Sequence, residues 1–266
     1  MDDSNPKEIR KKMPRGIFLL PNLFTTAAMF AGFYAIIASM NGLFETAAIA
    51  VFIAGLLDGL DGRVARMTNT QSAFGAEYDS LSDMVSFGVA PALIVYLWSL
   101  DELREVSVFM GKVGWMAAFI YATGAALRLA RFNTQVGTAD KRYFQGLASP
   151  AAAAVVMGLV WVCEIYDIAG SDVTYLALVV TLVAGLLMVS RFSYYSFKDL
   201  DIREKVPFVT LLAFILVFVT LSLRPAVVLF SFFFLYMASG PVVSLFRWNR
   251  KRMRMAESGG GSRPDS

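Results

Sequence analysis

Four aspartates define the chemistry open to this chain. They fall in two pairs, Asp58 with Asp61 and Asp79 with Asp83, inside sequence that is otherwise strongly apolar. At roughly 100° per residue, a helix sets Asp58 and Asp61 about 60° apart and Asp79 and Asp83 about 40° apart, so each pair shares a face. Four unpaired carboxylates packed together repel one another, and each aspartate inside a membrane span costs roughly 2.5–3.5 kcal/mol on insertion scales. Two divalent cations resolve both problems, because the carboxylates chelate them and a diphosphate completes their coordination. The chain has no histidine and a single cysteine, Cys163. This excludes a histidine base, a catalytic triad with histidine, His-containing metal sites and an intrachain disulfide. Oxygen ligands remain, which favour magnesium, manganese or calcium over zinc.

Small residues accompany the acids. Gly55, Gly62 and Ala65 share the face of Asp58, and Gly75 lies one turn before Asp79. Missing side chains let a flat base or a phosphate approach the backbone, or simply let two helices pack closely in a membrane. Gly55 alone fits either reading; beside four acids, the set points to a ligand groove. Attack of an alcohol on a diphosphate needs charge stabilised on the transferring group and on the leaving nucleotide, and a carboxylate can take the hydroxyl proton as the new bond forms. Such chemistry needs no histidine.

The elements that carry these residues are membrane spans. Of the 266 residues 57% are hydrophobic and 17% charged, with a mean hydropathy of +0.58. A soluble domain of this size needs more charge on its surface. The apolar runs predict spans at Ile17–Met40, Phe44–Arg66, Gly75–Leu100, Lys112–Phe132, Leu147–Cys163, Val173–Tyr195, Val206–Leu223 and Ala226–Phe246. With the amino terminus inside, 21 of the 24 Lys and Arg residues fall in inner segments, leaving Arg104, Lys112 and Arg224 outside. That asymmetry puts the acidic ends of the second and third spans at the cytoplasmic face. The basic start is expected to be a cytosolic tail before a retained helix, and the last twenty residues a basic flank followed by a disordered Gly/Ser end. No repeat of 20–50 residues is evident.

The string Asp58-x2-Asp61-Gly62-x2-Ala65-Arg66-x8-Gly75-x3-Asp79-x3-Asp83 resembles the signature of the CDP-alcohol phosphatidyltransferase family at every defining position. The resemblance implies an all-α polytopic membrane bundle whose six-helix catalytic core is often dimeric, and a transfer of a phosphatidyl group from a CDP-lipid to an alcohol with release of CMP. It implies that Asp58, Asp61 and Asp79 are metal ligands and that Asp83 is both ligand and base. Gly62 and Ala65 would line the cytidine site, with Arg66 nearby. The expected organisation is a tail at 1–15, the core at 16–200, two added transmembrane helices at 201–246 and a tail at 247–266.

Further strings widen the similarity, among them Leu20-Pro21-Asn22-Leu-Phe-Thr25, Ser82-Asp83-Met-Val-Ser86-Phe87-Gly88, Leu127-Arg128-Leu-Ala-Arg131-Phe132-Asn133, Phe144-Gln-Gly146-Leu-Ala-Ser149-Pro150 and Phe197-Lys198-Asp. Together they are similar to the integral-membrane bacterial branch of the family, whose acceptor is serine. That branch implies CDP-diacylglycerol and L-serine as substrates, two divalent cations, membrane lipids as surroundings, a homodimer in a bacterial inner membrane and no nucleic-acid partner. A serine carboxylate calls for a cation beside the metals, and Arg128 and Arg131, three residues apart at the end of the fourth span, supply candidates. They serve equally as ordinary inner flanks or as holders of the lipid phosphate. Asn22 either hydrogen-bonds a phosphate or satisfies the backbone at Pro21. Lys141 and Arg142 read as a solvated loop, and Arg191, Lys198 and Lys205 as contacts to anionic headgroups. The rival readings are a sister enzyme using glycerol-3-phosphate, choline or inositol, an intramembrane prenyltransferase, and a cation transporter with acids spread through the membrane depth.

Overall fold

The computed structural model describes residues 19–134 except 69 and 71, then 143–195, 216 and 219–259. Lys141, Arg142, Lys198, Lys205, most of the expected span Val206–Leu223 and both chain ends lie outside the described residues. Helices account for nearly all of what is described. They are α1 (Leu19–Met40), α2 (Phe44–Met67), α3 (Ala73–Trp98), α4 (Val108–Thr134), α5 (Ser149–Ile165), α6 (Thr174–Val189) and α7 (Pro225–Gly259). Among the described residues five stretches are long and apolar enough to cross a membrane: Pro21–Met40, Ala73–Trp98, Val108–Thr134, Gly170–Val189 and Pro225–Ser244. The fold is an all-α polytopic bundle, and the protein is an integral membrane protein.

Two expected spans that fall within the described residues are not among those five, for different reasons. α2 is 24 residues long, but Asp58, Asp61, Arg63 and Arg66 crowd its last ten residues. α5 is only 17 residues long and sits inside the bundle, with its run from Ala151 to Val160 buried throughout. A helix apolar on every side needs neighbours on every side, and α5 packs on α2, α6 and α7. The sixth span also ends sooner than its sequence suggests. α6 stops at Val189, Ser190 turns extended, and Ser193–Tyr195 (β2) pairs antiparallel with Tyr143–Gln145 (β1).

Small residues hold the helices together, as expected where lipid removes the hydrophobic drive between them. α1 buries Ala28, Ala31, Ala35 and Ala38 at helical spacing, and α2 buries Ala47, Ala50, Val51 and Ala54. Gly42, at φ 75°, makes the tight turn between these two helices. Where α4 crosses α6, a Cβ on Gly124 would lie 2.5 Å from the Gly185 carbonyl oxygen. Gly146, at φ 80°, donates its N–H to the Phe192 carbonyl at 2.9 Å, tying β1 to the chain leaving α6.

α3 is interrupted at an informative place. Directly after Asp83 it widens into a π-helical segment, Met84–Val89. Ser82 and Ser86 donate to the Thr25 and Ala28 carbonyls of α1, each at 3.1 Å, while Tyr121 of α4 donates to the Phe87 carbonyl at 3.1 Å. A π-turn shifts the register of everything beyond it, and such segments gather at functional sites. Here the acidic first half of α3 packs on α1, while its apolar second half packs on α2, α4 and α5 as well.

Candidate active site

The site forms where α2 ends and α3 begins. Thr68 closes α2, and Ser72 caps α3 by accepting the Gly75 N–H at 3.0 Å. Between them Thr70 returns its N–H to the Ala65 carbonyl at 3.0 Å. The turn brings the two aspartate faces together: single carboxylate oxygens of Asp58, Asp61 and Asp79 all lie within 4.8 Å of one another. Asp83, one turn further along α3, stands outside that trio but within electrostatic reach of Asp58, Asp61, Asp79 and Arg128. Asp61 is buried and accepts the Thr25 hydroxyl of α1 at 2.7 Å.

The electrostatics of this cluster suit a cation. Three buried side-chain oxygens lack a hydrogen-bond partner among the described residues, and two of them are Asp79 Oδ1 and Asp83 Oδ1; the third, on Thr181, lies in α6. Buried polar atoms are rarely left unpaired, so such orphans call for an explanation. No salt bridge neutralises the acids, since the ion pair found among the described residues is Arg104–Asp101. Converging carboxylate oxygens with free lone pairs and no nitrogen or sulfur donors suit a hard, oxygen-seeking divalent ion. The donor set therefore fits the metal that the residue types suggest.

Beside the acids opens a pocket of about 310 Å³. Asn22, Gly62, Ala65, Arg66 and Gly75 all line it, together with Thr25, Asp61 and Asp79. A Cβ on Gly62 would meet nothing within 4 Å, so that glycine widens the pocket. Gly75 does a different job. A Cβ there would press to 3.2 Å from Ser72 Oγ and 3.5 Å from Asn22 Oδ1, disturbing the cap and the approach of α1. Gly55 belongs with packing, because its nearest neighbour is the Phe87 ring at 3.7 Å. Arg66, exposed in the last turn of α2, sets a guanidinium on the pocket wall.

Arg128 and Arg131 part company. Arg128 is half-buried, donates to Ser149 Oγ at 2.7 Å and lies within electrostatic reach of Asp83 and Asp58. Arg131 instead points its Nη1 at the Ser190 carbonyl, 3.5 Å away at the end of α6. Neither lines the pocket that holds Asn22 and Arg66. Asn133 ties α4 to α3 by donating to Ser80 Oγ at 3.0 Å. Two contributors have no role assigned from sequence: Thr25, which aims Asp61, and Ser149, which holds Arg128. Thr25 stands three residues after Asn22 on one face of α1, a spacing that could have flagged it.

The family model described as CDP-alcohol phosphatidyltransferase matches residues 18–190. The chain is 38% identical over 230 residues to the CDP-diacylglycerol–serine O-phosphatidyltransferase of Helicobacter pylori, covering 86% of this chain and 92% of that one. It is 33% identical over 185 residues to the protein of the same name from Methanocaldococcus jannaschii, covering 70% and 78%. The archaetidylserine synthase of Methanothermobacter thermautotrophicus is 33% identical over 177 residues, covering 66% and 69%.

Proposed function

Because the chain belongs to the CDP-alcohol phosphatidyltransferase family, a family of transferases, we propose that it moves the phosphatidyl group of CDP-diacylglycerol onto L-serine and releases CMP. The observation that carries this reading is the meeting of Asp58, Asp61 and Asp79 within 4.8 Å beside an open pocket. Serine as acceptor is supported by the relatives that span most of the chain.

Asp58, Asp61 and Asp79, with Asp83 next to them, would hold two divalent cations, magnesium or manganese, with calcium a third candidate. Bound there, such ions supply the positive charge that a diphosphate and a transferring phosphoryl group require. The chain's own residues divide the remaining work. Gly62 and Ala65 leave a flat wall for the cytidine, while Arg66 and Asn22 offer donors to the diphosphate and Gly75 keeps that wall low. Asp83 takes the serine hydroxyl proton as the bond from serine oxygen to the β-phosphorus forms and the bond from that phosphorus to CMP breaks. Arg128, held by Ser149 and facing Asp83, receives the serine carboxylate. Arg131 is left to cap α6.

The same reading takes residues 16–200 as the catalytic core and 201–246 as an addition to it. It also has the protein as a homodimer in a bacterial inner membrane, its acids at the cytoplasmic face. The distribution of 21 of the 24 Lys and Arg residues supports that orientation. Clustering of the acids on adjoining turns of two helices disfavours a transport pathway, which needs them spread through the depth of the bilayer. The test is to give the purified protein CDP-diacylglycerol with serine, glycerol-3-phosphate, inositol or choline and follow CMP. Release that depends on serine is expected. Release that depends on another of these alcohols would keep the mechanism and overturn the acceptor.

A further inference from the structure

α1 supplies no acid to the site, yet it touches both helices that do. It packs along α2, and the acidic half of α3 packs on α1 rather than along α2. The spacing between the two aspartate pairs therefore depends on how α1 is held to each partner. Two buried serines make the hold on α3. Ser82, next to Asp83, and Ser86, in the π-helical segment, donate to the Thr25 and Ala28 carbonyls, each at 3.1 Å. Gly32 lets the two helices close, since a Cβ there would lie 2.7 Å from Ser86 Cα.

The two bonds look alike but lead to different places. Ala28 has no polar side chain to pass anything on. Thr25 donates its own hydroxyl to Asp61 Oδ2 at 2.7 Å, the Pro21 carbonyl being the more distant acceptor at 3.2 Å. Ser82, Thr25 and Asp61, all buried, thus form a chain of two hydrogen bonds that runs from the neighbour of Asp83 on α3, through α1, to α2. In a low-dielectric interior such linked bonds reinforce one another. Ser82 spends its proton on this chain, and Asp83 Oδ1 stays without a partner among the described residues. We infer that Ser82 is a positioning residue: acting through Thr25, it holds Asp83 at a fixed separation from Asp61 and so sets the span across which the site takes its cations. Ser86, with the same chemistry one turn on, serves packing. This rests on the metal-assisted reading above and deepens it, giving the helix without acids a part in the metal site.

The test compares wild type with Ser82→Ala, Ser86→Ala, Thr25→Val and the double variant Ser82→Ala with Thr25→Val. Binding of Mn2+ to the purified full-length protein in detergent, without substrate, is read from the loss of the free-ion EPR signal, and the Tm of the ion-free protein is taken alongside. Wild type first establishes the premise: if it binds no Mn2+, the metal reading fails, a result distinct from failure at Ser82. Given binding, Ser82→Ala should raise the Mn2+ concentration for half-saturation about three- to tenfold, the scale of one lost hydrogen bond. Ser86→Ala deletes a buried bond of the same length to the same helix. It should lower Tm by a similar amount and leave half-saturation within about twofold, a split that a merely structural role for Ser82 would not produce. Once Thr25→Val has cut the chain, adding Ser82→Ala should shift half-saturation by less than about twofold more, whereas independent effects would multiply. Ser82→Cys, close in size and a weak donor, should fall between wild type and Ser82→Ala, and it carries the test if the alanine variant is poorly made. An unchanged half-saturation in Ser82→Ala, an equal rise in Ser86→Ala, or shifts that multiply in the double variant would overturn the inference.

Discussion

The two ends of this bundle use carboxylates in opposite ways. At the end where α2 starts and α3 and α5 finish, each of the central acids has a partner. Glu164 accepts the Trp98 indole N–H at 2.7 Å, Glu45 accepts that of Trp161 at 3.3 Å, and Asp101 accepts the Tyr96 hydroxyl at 2.6 Å and Arg104 at 2.9 Å. Roughly 20 Å away along α2, at about 1.5 Å per residue, the aspartates face one another and two of their buried oxygens have no partner. Glu164 and Glu45 link α5 to α3 and to α2, whereas the unpaired aspartate oxygens leave room for a cation. The difference lies in what the neighbouring helix offers, an indole or phenol at one end and another carboxylate at the other.

Substitutions at the two ends should therefore separate into losses of turnover and losses of stability. The largest effect is expected for Asp83→Asn, which keeps the size of the side chain and removes its ability to take a proton. kcat should fall by about a thousandfold, within the usual range for a general base, while binding of CDP-diacylglycerol in vesicles is largely kept. Near-normal turnover would remove Asp83 from the role of base.

A smaller effect is expected for Thr25→Val. This preserves shape and deletes the 2.7 Å hydrogen bond that orients Asp61. The concentration of magnesium or manganese giving half-maximal activity should rise about tenfold, the lower end of what outer partners of metal ligands contribute. If the metal requirement does not move, the pairing of Thr25 with Asp61 serves packing alone.

Gly62→Val tests the pocket, since the added methyls enter open space and cost the fold little. It should raise the KM for CDP-diacylglycerol several-fold and leave that for serine unchanged. The smallest catalytic effect belongs to Glu164→Ala at the far end. There the loss of one hydrogen bond should cost about 1 kcal/mol of stability, read as a lowered Tm in detergent, with kcat intact. A collapse of activity in that variant would erase the distinction between the ends.

Much of the site was legible because helical periodicity alone pairs Asp58 with Asp61 and Asp79 with Asp83, and a turn of a few residues must bring the pairs together. The pocket wall of Gly62, Ala65, Arg66 and Gly75 follows from the same register. What escaped depends on contacts between elements far apart in the chain. Thr25 meets Asp61 across 36 positions, and which face of α1 turns inward is decided only by its packing on α2. Arg128 and Arg131 look equivalent in sequence, yet about 60° of helix rotation sends one toward Ser149 and the other toward Ser190. The early end of α6 was hidden because Phe192-Ser193-Tyr194-Tyr195 carries no charge, glycine or proline to mark a break. Only its pairing with Tyr143–Gln145 shows that the chain has left the helix.

The most direct measurement is CMP release from CDP-diacylglycerol and serine by the purified full-length protein, first stripped of divalent ions with a chelator and then supplied with magnesium or manganese. If the aspartates of α2 and α3 form the metal site of a phosphatidyl transfer, release stops on chelation, returns with either ion and requires serine throughout. Undiminished, serine-dependent release after complete chelation would contradict the account.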